Sequence, residues 1–382
     1  IDAAPVFGVA SGSLGTLTTN GAGSSLTAVT ATDDEGDSIT FSVTAGSLPS
    51  GITLNSNGTF AGTANAVSSN TTSTFSVTAS DGTNTSVRQY TITVNVTYVQ
   101  LSGSGTWSVP SEINTAEILI VGGGASGSRS PNVSGGGGGA GGVVHTSSYT
   151  FTATDKSSGI AYSVGAGGTG PGTGAGGNYD GGYRNGEDTT FAISGGTITA
   201  KGGGGGAGYG GQSPHFSPFS ANYYGASQGG SGGGGAYTHY TGASSNQGTF
   251  SGWTSYGNAG GDGDSNYTGG GGGGAGAAGS DSPNSNDAGA GGAGQLFSNF
   301  TDYGENGYFG GGGGGGSQSD NSAQGGVGGG GNGGYGTNVS TKNGGDATDG
   351  TGGGGGGVRN SGYQTFTYKA GDGGNGTILI RY

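Results

Sequence analysis

The side chains in this chain with the clearest chemical potential are carboxylates on turns. Asp33, Glu35 and Asp37 fall in the run ATDDEGDS with Asp34 among them, and Asp81 sits in a later SDG turn. Hard carboxylate oxygens gathered on turns suit Ca2+, which takes roughly six to eight oxygen ligands. The same residue types also shape tight turns and face water, and a complete calcium site here would draw ligands from a neighbouring domain. No cofactor is expected beyond Ca2+, and Asp33, Glu35, Asp37 and Asp81 are its candidate ligands.

A second resource is aromatic. Phe216, Tyr224, Tyr237, His239, Tyr240, Trp253 and Tyr256 lie in stretches rich in Ser, Asn and Gly. Tyr and Trp in such a setting give contact area at low entropic cost, with adaptable hydrogen bonds around them, and their rings stack on sugars. These residues are the candidate receptor contacts, with Trp253 and residues 237–240 expected to be exposed. The other reading of the same rings is that they cover the flanks of a glycine-rich interior that has little other apolar material.

Catalytic chemistry finds little support. His145, His215 and His239 are dispersed with no HExxH spacing, and no GxSxG occurs. Matches to GxGxxG follow from composition alone and lack a βαβ unit. Paired carboxylates of the glycosidase kind are recognised by their separation in space, so the sequence leaves them open. With no cysteine in the chain, disulfides, thiolate metal sites and thiol nucleophiles are excluded. The expectation is a protein that is not an enzyme.

Of 382 residues 104 are Gly, and 29% are hydrophobic, too few for conventional cores throughout. The formal net charge of −13 argues against nucleic acid and anionic membrane surfaces as partners, since both need clustered Lys and Arg. No apolar run approaches the roughly 18 residues of a membrane-spanning helix. The chain holds no Met, so residue 1 reads as a processed or internal start, and the closing GTILIRY reads as a C-terminal strand.

Two unlike regions must position these side chains. Residues 1–97 alternate apolar and polar residues in short segments, such as 39–44 (ITFSVT), 74–80 (TFSVTAS) and 88–96 (RQYTITVNV), broken by Gly, Asn, Asp and Ser. That spacing predicts an all-β sandwich. Through APVF, ATDDEGDSITFSVTAGSLPSGITLNSNGTFAGTA and FSVTASDGTNTSVRQYTITV this region resembles the cadherin-like, immunoglobulin-fold modules of bacterial surface proteins and phage fibres.

Residues 98–382 are organised around glycine runs at 202–206, 232–235, 269–274, 310–316, 328–331 and 352–357. Each glycine costs about 1 kcal/mol more backbone entropy than alanine on ordering, so isolated runs would be linkers. Recurrence every thirty to forty residues between strand-like ends predicts packed equivalents instead. The ordered form open to such runs is the polyproline-II type helix, whose outward N–H and C=O groups can bond to parallel copies. Strands are expected at 105–112, 116–121, 142–154, 160–165, 189–201 and 377–382, with the first and last paired.

The pattern TWSVP, AEILIVGGG, GGGGAGGVV, YSVGAGG, ITAKGGGGG and GTILIRY is similar to the glycine-rich domain at the ends of phage tail fibres and adhesins. The resemblance implies a β-sandwich frame bearing a polyglycine-II helix bundle, with the loops between glycine helices contacting a host receptor. It further implies a virion-surface or extracellular location, with a cell-surface glycan or outer-membrane protein as partner. Other fibre subunits would be partners too, and a homo-oligomer is compatible with it. A different class of function stays open: a decoration or filament protein that self-associates through unpaired glycine-rich edges.

Overall fold

The computed structural model describes residues 2–67, 69–111, 113–131, 133–171, 184–210, 222–236, 241–264, 267–319, 322–336, 341–360 and 368–382. These divide into two compact units. One comprises Ile1–Val99, Pro110–Ala116 and Ile380–Tyr382; the other comprises Gln100–Val109 and Glu117–Leu379.

The alternating segments of the first unit become an immunoglobulin-like β-sandwich. Strand Thr85–Asn95 lies between Gly12–Thr18, which runs parallel to it, and Thr71–Ser80, which runs antiparallel and pairs in turn with Thr40–Gly46. Two-stranded ladders join Val6–Phe7 to Ala31–Thr32 and Ile52–Leu54 to Phe60–Gly62. Alternate residues Tyr90, Ile92 and Val94 point into the core with Phe75 and Val77, each 2% exposed or less. Phe7, Phe41 and Phe60 complete an aromatic cluster in which Phe75 and Tyr90 stand 6.5 Å apart. Burying each such ring contributes about 2–3 kcal/mol.

The second unit has a strand frame and a glycine interior. One sheet runs in the order Thr254–Tyr256, Val143–Thr150, Thr115–Val121, Thr377–Arg381, Tyr98–Leu101, and a second in the order Ser104–Trp107, Ile160–Ser163, Thr189–Ile193, Gly196–Ala200. The expected pairing of first and last strands is not found: the expected first strand, at 105–112, is Ser104–Trp107 in the second sheet, paired with Ile160–Ser163, while the last strand lies between Thr115–Val121 and Tyr98–Leu101. Two expected strands come out differently. The run at 142–154 stops at Thr150 and gives way to the helix Ala153–Ser158, because Thr152 and Asp155 form a reciprocal capping box. The run at 189–201 is a hairpin, turning where Gly196 takes φ 130°.

Beyond the frame, the chain passes back and forth as glycine segments with neither helix nor strand patterning. The segment at 134–142, which carries most of the GGGGAGGVV motif, lies at their centre. Gly136, Gly139 and Gly142 donate their N–H groups to Ala207, Gly204 and Lys201. Gly135, Gly138 and Gly141 donate to Val358, Gly355 and Gly352, while Ser134, Gly137 and Ala140 donate to Tyr267, Gly270 and Gly273. One segment thus serves three neighbours, each through every third residue. All residues from 134 to 144 are buried. The expected polyglycine-II helix bundle is not supported as such, since these segments show no regular helix; what the structure has is a lattice of laterally bonded backbones. Each bond is worth about 0.5–1.5 kcal/mol net, comparable to the extra entropy each glycine loses, so the lattice holds collectively and with help from the apolar frame.

At the rim of the lattice, side-chain oxygens stand in for the missing neighbour segment. Asp346 Oδ1 accepts the Asp372 N–H at 2.8 Å and Asp372 Oδ1 accepts that of Gly170 at 2.6 Å. Three residues further along each segment, Asp349 Oδ1 accepts from Asn375 at 3.0 Å and Asn375 Oδ1 from Gly167 at 2.9 Å. Asp262 and Asp281 do the same for Gly242 and Asp262, both at 2.8 Å. Much of the chain's acidity therefore has an internal use.

A two-donor rim cap is Glu305, whose Oε2 accepts Gly328 N–H at 2.7 Å and Gly329 N–H at 2.8 Å across a left-handed glycine pair. Glu305→Ala orphans both donors at an exposed edge and should cost about 1–2 kcal/mol, lowering Tm by about 2–3 °C. Glu305→Gln keeps an acceptor and should recover most of the loss. Equal Tm for both variants and the parent, by calorimetry, would remove the cap from the account.

Candidate functional site

The lattice has two ends with different chemistry. At the frame end, Gly141, Gly142, Ala275 and Gly310 meet the strands, and Leu119, Val121, Val143, Phe297, Phe300, Phe309 and Leu379 form an apolar core. At the opposite end, called distal here, glycine gives way to other residues. Ser128, Arg129, Ser130, Ser134, Thr268 and Ser317 are all buried there, and short ladders replace the long strands. Arg129–Pro131 pairs with Val358–Asn360, and Gly208–Gly210 with Asn222–Tyr224. Ser128 donates its hydroxyl to Ala207 O in a short hydrogen bond.

The aromatic candidates separate between these ends. Tyr224 belongs to the distal ladder, opposite Gly208. Phe216, Tyr237, His239 and Tyr240 lie outside the described residues. The residues that flank them are distal: Gly210 and Asn222 pair with each other, and Ala236 bridges Gly269. Trp253 and Tyr256 are at the frame end. Tyr256 sits opposite Val143 on the edge strand Thr254–Tyr256, its ring edge-on to Phe297 at 5.6 Å. Trp253 is half-buried, contrary to its expected exposure, and packs 5.9 Å from Tyr149, which packs 5.2 Å from the buried Phe151. Ring contacts continue from Phe151 to Trp107 at 5.5 Å. For Trp253 and Tyr256 the covering role is the one observed, because a ring beside an edge strand finds apolar partners that a ring on a loop lacks.

Polar anchors fix the same frame. The buried Asp155 accepts the Tyr149 hydroxyl at 2.9 Å, the Thr152 N–H and hydroxyl at 2.9 Å each, and the Ser194 N–H at 2.8 Å. His145 Nε2 lies 3.0 Å from Glu117 Oε1, and Asn299 donates to Glu117 Oε2 at 2.9 Å. With Phe297 over the His145 ring at 4.9 Å, this group pins the turn Ser298–Phe300 onto the sheet. His145, dispersed in the sequence, has a structural setting here.

In the first unit the acidic candidates act as turn formers. Asp33 Oδ1 accepts the N–H groups of Glu35 and Asp37, both at 3.0 Å. Asp81 Oδ1 accepts those of Thr83 and Asn84 at 2.7 and 2.6 Å, and the bonds from Asn84 and then Thr83 hold its carboxyl below the usual range. Glu35 Oε2 accepts from Ala3 N at 3.3 Å. Among the described residues no three His, Cys, Asp or Glu are placed to hold a metal ion. Asp33 and Asp37 do line an open cleft of about 470 Å³ with Val29, Ile39, Phe41 and Asn57. Among the described residues no helix is long and apolar enough to cross a membrane.

Comparison with known proteins adds family-level findings. The model of a family described as "Glycine-rich domain" matches residues 99–382, and one described as "Putative Ig domain" matches residues 7–97. No curated protein matches the chain. Among solved structures, the protocadherin gammaB4 extracellular domain is 18% identical, over 26% of this chain and 19% of that one, with a TM-score of 0.21. Human protocadherin-24 EC1-2 is 15% identical over 43% and 66%, with a TM-score of 0.22, and protocadherin gamma B2 domains 3–6 are 18% identical over 52% and 50%, with a TM-score of 0.25. The chain thus spans from about a fifth to two thirds of those chains, and similarity at that level bears on none of the arguments here.

Proposed function

The chain belongs to the glycine-rich domain family through residues 99–382, and from that premise we propose that it is an extracellular adhesion protein, a virion fibre or adhesin whose distal glycine-rich end attaches to a host-cell receptor. The receptor is a surface glycan or an outer-membrane protein. The observation that carries this reading is the polarity of the lattice. Its frame end is closed by apolar packing, whereas the described residues that flank Phe216 and Tyr237–Tyr240, among them Gly210, Asn222 and Ala236, lie at the distal end. A lattice held by backbone hydrogen bonds is indifferent to what its loops carry, so loop sequence can change without refolding the domain. The rival reading, self-association through open glycine edges, has the capped rim against it.

Exchanging only residues 211–221 and 237–240 for unrelated loops of equal length should redirect or abolish adsorption to host cells while leaving the melting profile unchanged. Removing all of 207–309 is a poorer test, because it deletes the lattice segments at 229–235 and 269–276. Adsorption unchanged after the exchange would sink the receptor-binding reading, and a concentration-dependent filament of the parent chain by electron microscopy would favour self-association.

A further inference from the structure

Asparagine followed by glycine is prone to spontaneous deamidation, because glycine has no Cβ to shield its nitrogen. Once deprotonated, that amide nitrogen attacks the asparagine Cγ; the new N–C bond closes a succinimide, and the side-chain nitrogen leaves as ammonia. Water then opens either carbonyl, giving aspartate or isoaspartate, and the second product carries one extra backbone carbon. Hydroxide and water are the only co-reactants. The chain has seven such pairs, beginning at Asn20, Asn57, Asn185, Asn306, Asn332, Asn343 and Asn375.

Four of these asparagines are rim caps of the lattice. Through Oδ1, Asn185, Asn332, Asn343 and Asn375 accept the N–H groups of Gly205, Gly325, Lys369 and Gly167 at 2.8–3.0 Å. The glycine after each gives its own N–H to another segment: Gly186 to Gly203, Gly333 to Ala323, Gly344 to Lys369 and Gly376 to Gly165. Electrophile and nucleophile are both committed, and they meet only when the lattice opens. In the first unit Asn57 Oδ1 is committed to the Thr59 N–H and hydroxyl, and Asn20 is half-buried. Asn306 differs. It is exposed, and its side chain makes no hydrogen bond among the described residues. With Gly307 it forms the two-residue turn of a hairpin, at φ 52° and 85°, closed by reciprocal 3.1 Å bonds between Glu305 and Tyr308. The Gly307 N–H is held by Tyr303 O at 2.9 Å, and a loop tip is where such a bond opens at least cost.

We propose that Asn306 is a self-modification site, deamidating in the folded protein, and that its isoaspartate product releases the rim cap Glu305. The extra backbone carbon lengthens the turn between Glu305 and Tyr308. That draws the Glu305 carboxylate away from the Gly328 and Gly329 N–H groups it holds at 2.7 and 2.8 Å, and the new carboxylate beside it adds like-charge repulsion. The lattice thus ages first at one rim position, while its other asparagine caps are preserved by the bonds they make. This inference is independent of what the distal end binds.

The test ages the full chain in mildly alkaline buffer below its melting range. Each Asn–Gly peptide is followed by mass spectrometry with electron-transfer fragmentation, which separates aspartate from isoaspartate. Asn306 should convert at least about tenfold faster than Asn185, Asn332, Asn343 or Asn375. The Tm of the aged protein should fall by about 2–3 °C, the loss expected for Glu305→Ala. Asn306→Gly suits the left-handed turn and cannot deamidate, so it should match the fresh parent in Tm and hold that value on ageing. Glu305→Ala should still convert at Asn306 but show no further fall. Conversion of Asn306 no faster than that of the lattice caps would overturn the site. Isoaspartate at Asn306 with an unchanged Tm, or a further fall in aged Glu305→Ala, would overturn its link to the cap.

Discussion

Replacing Gly313 with alanine is expected to abolish folding of the glycine-rich domain, although it adds a single methyl group. Gly313 receives the N–H of Gly272 at 2.8 Å and gives its own to Gly138 at 2.9 Å. A Cβ built on it meets the carbonyl of Gly355, with the carbonyl carbon 2.6 Å away. Gly354 is equivalent: its Cβ would meet the Gly138 carbonyl, with the carbon at 2.7 Å. In both cases the obstacle is backbone, which cannot turn aside as a side-chain tip can. Relief requires the segments to separate, and separation breaks lateral bonds in every third residue along both. The cost should exceed about 4–5 kcal/mol, in the range reserved for overpacking a core. The control is Gly248→Ala, where a Cβ would have nothing within 4 Å; it should be neutral within about 0.5 kcal/mol. Thermal unfolding followed by circular dichroism reads the difference. A Gly313→Ala protein that melts like Gly248→Ala would show that the close approach is not real.

The second large effect is expected at Asp155. One buried carboxylate gathers donors from Tyr149 on the strand Val143–Thr150, from Thr152 at the N-cap of the helix Ala153–Ser158, and from Ser194 in the turn between Thr189–Ile193 and Gly196–Ala200. Asp155→Ala leaves the Tyr149 hydroxyl and the Thr152 and Ser194 N–H groups without acceptors, at a cost of about 2–4 kcal/mol, or a Tm about 3–7 °C lower. Asp155→Asn keeps one acceptor oxygen and should lose about half as much.

The same group sets a pH window. Burial alone would raise the Asp155 pKa, but the N–H donors of Thr152 and Ser194 and the hydroxyls of Thr152 and Tyr149 outweigh it and hold the carboxyl below its ordinary value. Stability from this group is therefore fully present above about pH 4, the unfolded value, and is lost as pH falls through the folded one. Tyr149 is pushed up to about 12, chiefly by burial and then by its bond to Asp155. Its contribution is present below about pH 10 and disappears as pH climbs toward 12. Tyr149→Phe should flatten the alkaline limb and leave the acid limb in place. A parent Tm that is level from pH 3 to pH 11 would contradict both assignments.

The sequence made the strands legible because they either obey a period-two pattern with buried β-branched and aromatic residues, as in Thr71–Ser80, or are short apolar runs buried on both faces, as in Thr115–Val121. It hid the edge strand Thr254–Tyr256, since three residues show no period. Helix Ala153–Ser158 was readable in principle from the box formed by Thr152 and Asp155, but a β-rich surrounding sequence masked it. The glycine runs announced an interior and GGGGAGGVV marked one of its segments, while that segment's central place and the rim caps left no local signal. Only the pairing of Asp346 with Asp349 and of Asp372 with Asn375, three apart on adjacent segments, could have signalled them. Sorting Tyr224 from Trp253 and Tyr256 was beyond reach, because which end of a lattice a loop leaves from depends on the direction of each pass.

The central claim is that the glycine segments are bonded to one another and sealed from water, and amide hydrogen exchange of the full chain measures it most directly. The N–H groups of Gly137, Gly138 and Gly139, committed to Gly270, Gly355 and Gly204, should exchange only with global unfolding, as slowly as those of Ile118 and Ile120 in the central sheet. Exchange of those glycines within seconds at neutral pH, while Ile118 and Ile120 stay protected, would show flexible tethers on a folded frame and contradict the account.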